Sequence, residues 1–556
     1  MTPARVVVSS KGSGLGSPSC ARSRSRSCAR GASHASRGAS SGRSSERRLR
    51  PQAASSESVD VVIVGGGVSG LCAAQALLTE HRDAFTSLVV TEGRERVGGN
   101  ITSRSDERGY VWEEGPNSFQ PNVSMMKATV DTGLKEKLVL GDPTAPRFVL
   151  WDKKLRKTPS GPDVVTFDLL SIWGKIRAGL GALGIMNGKL PDYEESVEQF
   201  VKRNLGDEAF YRLIEPFCSG VYAGDPSKLS MKAAFGKVHV LEEKGGSIMG
   251  GSLKFMQEQR DNPPPPPDPR LPQPKGQTVG SYREGLQTLP NAIEAYVRGE
   301  QGDDAVRCDW KLTAISRDET TGKYNLSYDT PDGARTLVAK SVALTVPAYV
   351  AAPLIKSMAG DASDKLLDIY YPPVAAVTIA YPEEAVRDES MTGPGRTLEG
   401  FGQLHPRTQG VTTLGTIYSS ALFPGRVPKG QVLILNYIGG CTNTGIVDQS
   451  EDEIVAQVDK DLRTMLLKPD APAPTKVGLR IWPKAIPQFN VGHFDRVNAA
   501  KDGLKQAGCS GLFLGGNYVS GVALGKCVEY GYVNLAGEIA EHARSVKEEV
   551  KEMVEN

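Results

Sequence analysis

The chain of 556 residues contains no apolar run of the ~18 residues that a spanning helix requires, so a transmembrane helix is not expected. Its eight cysteines form no C-x-x-C pair. Cys20 and Cys28 fall near the start and the others are scattered, which excludes a zinc ribbon and reads as reduced thiols. No internal repeat is present. The first fifty residues nearly lack acids: eleven Lys and Arg stand against Glu46 alone, a charge of +10, leaving −8 on the remainder. They also lack apolar periodicity and the apolar centre of a secretory signal. Rich in Ser, Arg, Ala and Gly, residues 1–56 read as an organelle transit peptide, with a mature start near Ala54 to Val59. The alternative is a disordered basic arm for nucleic acid. No nucleic-acid partner is expected here, and composition does not separate plastid from mitochondrial leaders.

The most specific pattern present is Val61-Val62-Ile63-Val64-Gly65-Gly66-Gly67-Val68-Ser69-Gly70. The β-branched run reads as a buried parallel strand, and Leu71 to Leu78 as a helix. Strand, glycine turn and helix give a G-x-G-x-x-G its dinucleotide-binding context. Gly65 permits the turn, Gly67 lets a pyrophosphate approach the backbone, and Gly70 lets the helix sit on the strand. Free N–H groups and the positive helix end then meet the diphosphate, with Gly66, Val68 and Ser69 in the same turn. A second short strand, Ser87 to Thr91, ends at Glu92, where such folds place a carboxylate on the ribose hydroxyls. That acid disfavours a 2′-phosphate and hence NADP.

The residues after the acid, Glu92-Gly93-Arg94-Glu95-Arg96-Val97-Gly98-Gly99, form E-x-x-x-R-x-G-G, which resembles the second signature of the flavin amine oxidase superfamily. The resemblance implies FAD, with Arg96, Gly98, Gly99 and Asn100 along its diphosphate. A third piece is Gly511-Leu512-Phe513-Leu514-Gly515-Gly516-Asn517, followed by Gly521-Val522-Ala523-Leu524-Gly525. In the superfamily this segment meets the ribityl, pyrophosphate and ring, which implies contacts from Asn517, Val522, Ala523 and Leu524. Gly115, Pro116, Asn117, Ser118 and Leu312 join the cofactor set on the same resemblance.

The expected fold is α/β: a Rossmann-like FAD-binding domain, a mixed α+β substrate domain and an inserted helical, membrane-associated domain. FAD-binding parts are expected at 57–130, 251–345 and 485–545, helices at 131–250, the substrate domain at 346–484 and a tail at 546–556. The prolines at 262–274 exclude helix and central strand, and read as a solvated polyproline loop. Pro331-Asp332-Gly333 reads as a hairpin turn. In 169–186, Leu169, Ile172, Trp173, Ile176, Leu180 and Leu183 share one helical face. With Lys175 and Arg177 able to snorkel, this is either an interfacial helix or an ordinary core helix.

Longer blocks narrow the family. Gly115-Pro116-Asn117-Ser118-Phe119-Gln120-Pro121, Ile214 through Pro226, Tyr370 through Val377, Gly400 through Pro406 and Leu414 through Ser420 resemble the plastid-type protoporphyrinogen oxidases. The resemblance spans about Val59 to Glu538. It implies oxidation of protoporphyrinogen IX to protoporphyrin IX through FAD, with oxygen as acceptor and hydrogen peroxide as product, in haem and chlorophyll synthesis. It also implies monotopic attachment to the thylakoid or envelope membrane of the chloroplast, often as a homodimer, with the membrane-facing domain in 131–250.

An apolar macrocycle bearing propionates needs a greasy slot and a cation. By motif position Arg147 resembles the propionate-binding Arg, and Val374, Leu398 and Tyr418 fall on slot-lining segments. Plain core is the alternative for Val374 and Leu398, and a surface ion pair for Arg147. No acid–base pair emerges. His405 and His493 titrate in the useful range but read as structural. Loss of hydride from a meso carbon to the flavin requires positioning more than a base. Two rivals remain. Amine oxidases carry a Lys on a strand equivalent to 375–381, where this chain has none, and carotenoid desaturases lack the 115–121 and 214–226 blocks. A flavin-free binding protein of the Rab GDP-dissociation-inhibitor type lacks the C-terminal flavin segment.

Overall fold

A computed structural model describes residues 56–159 and 166–555; the leader expected at 1–56 lies outside them, apart from Ser56. Two seven-stranded sheets organise the described chain. In the first, Ser56–Val64 lies centrally, parallel to Gly333–Leu344 on one side and to Leu88–Thr91 on the other. Val306–Arg307 extends the sheet beyond Leu88–Thr91, and Leu512–Leu514 adds in parallel to Gly333–Leu344. An antiparallel ribbon, Lys311–Arg317 with Tyr324–Thr330, completes it. The turn at Pro331 and Asp332 closes directly, with Thr330 opposite Gly333.

The parallel part of this sheet is buried on both faces, which explains the unbroken Val61-Val62-Ile63-Val64 run. Val61 and Ile63 pack under helix Val68–Glu80 and the C-terminal helices, while Val62 and Val64 pack against Ala348–Ile355 and His493–Gln506. The last helix, Ala536–Glu555, runs through the segment expected to be a tail.

The second sheet is mixed, in the order Thr475–Trp482, Val374–Pro382, Gln431–Gly439, Thr413–Ile417, Gly402–Leu404, Arg147–Trp151, Lys154–Lys157. Within 131–250, read above as helical, Arg147–Trp151 and Lys154–Lys157 are therefore strands. Their alternation is short and interrupted by Asp152 and Lys153, both at positive φ, so pattern alone shows little of it.

Helices do follow, from Ile172–Ala182 to Ile248–Asp261. Helix Val197–Leu205 begins with a full capping box, Ser196 with Gln199. It is held by Arg203, which forks between Glu195 and Glu242 at 2.6 and 2.7 Å. Helix Ile172–Ala182 does not bury its apolar stripe as a core helix would. Gly174 and Gly181 face inward, and Ile172, Trp173, Ile176 and Leu183 face out, Trp173 being 79 % exposed. A Cβ on Gly181 would lie 1.5 Å from the Asn204 carbonyl oxygen. Ile248–Asp261 repeats the design, with Gly251 inward against Leu241 and Met249, Leu253 and Met256 exposed.

Candidate active site

Three chain segments meet at the C-terminal end of Ser56–Val64. Gly65 takes φ +110, and a Cβ there would lie 2.8 Å from Thr345 Oγ1. At Gly70 a Cβ would lie 2.3 Å from the Gly65 carbonyl oxygen and 3.1 Å from Ile63, so helix–strand packing requires glycine. Gly67 differs: its φ is −71, and a Cβ would meet no protein atom within 4 Å. The space over Gly67 is open, at the start of a helix whose N-cap makes no side-chain hydrogen bond. That is a cradle for a phosphate group.

The second segment closes on the first. The Gly66 N–H donates to Glu92 Oε2 at 2.8 Å, and the Gly98 N–H donates to the Gly66 carbonyl at 2.8 Å. Glu92 Oε1 accepts from the Arg94 N–H at 3.0 Å, which leaves carboxylate lone pairs for further donors. Arg96 turns inward: its guanidinium donates to the carbonyls of Val97, Gly99 and Ile101, to Gln287 Oε1 and to Thr102 Oγ1. It braces the Gly98 and Gly99 turn from behind. Asn100 is exposed, and its carbonyl touches Gly115 so closely that a Cβ there would fall at 1.9 Å.

Beyond Gly115, Pro116 and Ser118 are half-buried, whereas Asn117 is buried with neither amide atom hydrogen-bonded. A buried amide with both ends free is costly unless a bound group completes it. The third segment, Leu512–Leu514 and the turn after it, is held by the Gly515 N–H donating to the Leu344 carbonyl at 2.9 Å. Asn517 and Val522 are half-buried, Ala523 exposed and Leu524 buried. The Asn122 amide donates to the Gly525 carbonyl at 2.9 Å and fastens this turn to the 115–118 loop. Leu312 is different: its side chain lies in the core, while the residues just before it reach the site, Asp309 and Trp310 donating their N–H groups to the Arg94 and Glu92 carbonyls.

Sequence reading missed Thr345. Its hydroxyl donates to the Val64 and Gly65 carbonyls at 3.0 and 2.9 Å, and its methyl lies against Gly515. It joins the first and third segments. No local motif marks it, since its partners are 280 residues earlier and 170 later in the chain.

The face of the second sheet opposite this cradle follows from register. Arg147 pairs with Gly402, Gly402 with Ile417, Ile417 with Leu435 and Leu435 with Thr378. Paired residues share a face, so Arg147, Ile417 and Leu435 lie on the side of Val374 and Ala376. Tyr437, opposite Ala376, is on it too, and its hydroxyl donates to the Gly115 carbonyl at 2.8 Å. Val374 and Leu414 pack there with Ala223 and Tyr437.

Leu398 and Tyr418 are not on this face. Both pack with Ala375, Val377, Ile379 and Tyr381 on the reverse side, where the Tyr418 hydroxyl donates to Gln403 Oε1 at 2.6 Å. A step of one residue, from Ile417 to Tyr418, crosses the sheet. Arg147 itself is exposed, donates to Thr278 Oγ1 at 2.7 Å and stacks over Phe401 at 5.0 Å. Among the described residues it has no acidic partner within ion-pair distance.

His405 is buried, and its ring hydrogen-bonds Thr413 and Gln403. Burial pulls its pKa down to about 4. His493 stacks on Phe489 at 3.9 Å and bonds the Tyr518 carbonyl, and burial likewise lowers it to about 4. Both are neutral structural rings near pH 7. Buried Glu113 is pushed up to about 7 by loss of solvent, against the pull of Arg426.

This arrangement has known counterparts. The profile of the family described as flavin containing amine oxidoreductase matches residues 68–532. Protoporphyrinogen oxidase 1, chloroplastic, of Arabidopsis thaliana is 61 % identical over 476 residues, covering 85 % of this chain and 87 % of the relative. The chain belongs to the protoporphyrinogen oxidases of this flavin-dependent family. The chloroplastic protoporphyrinogen oxidase of Oryza sativa subsp. japonica is 58 % identical over 488 residues, covering 87 % of this chain and 89 % of that one. A crystal structure from Exiguobacterium sp. 255-15 shares the fold at TM-score 0.68 and 24 % identity, covering 88 % of this chain and 99 % of that chain. The family's cofactor is FAD. The open space over Gly67, the free Asn117 amide and the glycine contacts at Gly65 and Gly70 fit such a group.

Proposed function

We propose that this chain is an FAD-dependent oxidase of protoporphyrinogen IX, forming protoporphyrin IX in the chloroplast with oxygen as electron acceptor and hydrogen peroxide as product. The observation that carries this reading is the 58–61 % identity to chloroplastic protoporphyrinogen oxidases across most of the chain. Bound FAD supplies a two-electron acceptor in each round. Gly66, Gly67, Val68 and Ser69 hold its diphosphate and Glu92 its ribose, while Asn117 and the 522–524 turn reach its far end. The apolar face of Val374, Leu414, Ile417 and Tyr437 positions the macrocycle, with the Tyr437 ring stacking on it. Arg147 meets a propionate. The test is anaerobic mixing with protoporphyrinogen IX. The bound flavin bleaches within the turnover time if the reading holds, and stays oxidised if it does not.

Attachment to a membrane surface belongs to the same proposal. Two helices bury glycines and expose Ile172, Trp173, Ile176 and Leu183, and Met249, Leu253 and Met256. Apolar exposure on this scale marks a contact surface, and a helix offering Trp on one side can lie in a bilayer interface. Among the described residues no helix is long and apolar enough to cross a membrane. The attachment is therefore read as monotopic.

A further inference from the structure

Three consecutive residues leading into the flavin loop are each held by a donor from the substrate-sheet region. Glu113 Oε1 lies 3.4 Å from Arg426 Nη2. The Glu114 carbonyl accepts from Trp482 Nε1 at 2.6 Å, and the Gly115 carbonyl accepts from the Tyr437 hydroxyl at 2.8 Å. Trp482 and Tyr437 stand on the second sheet itself, and Arg426 on the turn that precedes Gln431–Gly439. Asn117, with its unpartnered amide, follows two residues later.

Arg426 is the unusual member. It is 1 % exposed, stacks over Phe423 at 4.6 Å, and donates through Nη2 to Ser281 Oγ at 2.7 Å and to the Tyr282 carbonyl at 3.2 Å. Nε and Nη1 have no partner. Glu113 is also bound by Ser103 at 2.6 Å and by the Leu286 N–H at 2.9 Å. The Tyr437 phenol is the other titratable group against this carboxylate. A buried ion pair with unsatisfied donors adds little net stability compared with apolar residues of the same volume. Fixing one arrangement among several is the best-attested use of such a pair. The backbone join does not need the side chain, because the Val111 N–H donates to the Arg426 carbonyl at 3.0 Å.

We propose that Arg426 is a positioning residue, which through Glu113 sets the 114–118 flavin loop in register with the Val374, Leu414 and Tyr437 face. This rests on the reading of the site given above. Without the ionic contact the Trp482 and Tyr437 bonds still tether the loop, and Ser103 and the Leu286 N–H still hold the Glu113 carboxylate, but the turn before Gln431–Gly439 no longer grips it by a side chain.

Arg426→Met alone strands a buried carboxylate, so the double variant Glu113→Gln with Arg426→Met is the decisive one. The double variant is expected to keep its melting temperature and bound FAD. Its visible circular dichroism band for bound flavin should change, and kcat/KM for protoporphyrinogen IX should fall about tenfold, since small misplacements weigh heavily on rate. Most of the loss should lie in kcat, as in a misaligned complex. A double variant with wild-type flavin dichroism and wild-type kcat overturns the proposal and makes the pair simple packing. Wild-type protein that never forms porphyrin sinks the substrate reading instead, and the dichroism comparison still tests the latch.

Discussion

Three glycines in one turn serve two different needs, and substitution separates them. Gly70→Ala drives a methyl to 2.3 Å from the Gly65 carbonyl oxygen. It should destabilise even the FAD-free protein by about 1–3 kcal/mol, the usual cost of overpacking, measured by thermal melting. Gly67→Ala meets no protein atom within 4 Å at an ordinary φ. Its FAD-free melting temperature should be unchanged while FAD affinity falls by about a factor of ten, or 1.4 kcal/mol. Loss of apo stability in both variants would contradict the assignment of Gly67 to the ligand. Arg147→Ala removes an exposed guanidinium that has no acidic partner among the described residues. Stability should stay within about 0.5 kcal/mol, as for surface changes, and KM should rise several-fold with kcat nearly constant. Glu113 makes a signed prediction. Burial raises its pKa from 4.5 to about 7, so between those values the folded state holds a proton that the unfolded state has lost. Stability therefore falls as pH rises from 4.5 towards 7. A Glu113→Gln variant lacks that component, and melting curves across the window should show a flatter profile than wild type.

At the scale of elements, much of the cradle was legible because its logic is local. The glycine turn, Glu92, Gly98 and Gly99 lie within 35 residues of one another, each where backbone geometry demands its residue type. The sheet face was not. Whether a residue lies on the side of Val374 or that of Tyr418 depends on pairing between strands as far as 255 residues apart, and a shift of one reverses it. Motif position alone did not show that Arg147 and Val374 share one face while Leu398 and Tyr418 pack on the other, or that Ile417 and Tyr437 join the first. Helix Ile172–Ala182 shows the same limit differently. Its apolar stripe was visible, but a glycine leaves no hydrophobic mark, so nothing indicated that Gly174 and Gly181 form the packed side. Gly181→Leu should therefore unfold the helical region, whereas Trp173→Glu should leave the melting temperature unchanged and abolish co-flotation with anionic liposomes. Unchanged flotation of Trp173→Glu would remove this helix from the membrane contact.

At the scale of the whole molecule, two sheets are set face to loop. The first gathers distant segments into a cradle, and the second presents an apolar face with an arginine at the start of its second-to-last strand. The 113–115 segment joins them, and Ala223, at the end of Glu215–Tyr222, packs on the same face. The central claim is tested most directly by supplying protoporphyrinogen IX in air to detergent-solubilised protein begun near Val59, and following porphyrin fluorescence against a heat-killed control. The account predicts a yellow protein that forms protoporphyrin well above autoxidation and releases peroxide in step. A yellow protein with no porphyrin above the control would contradict it.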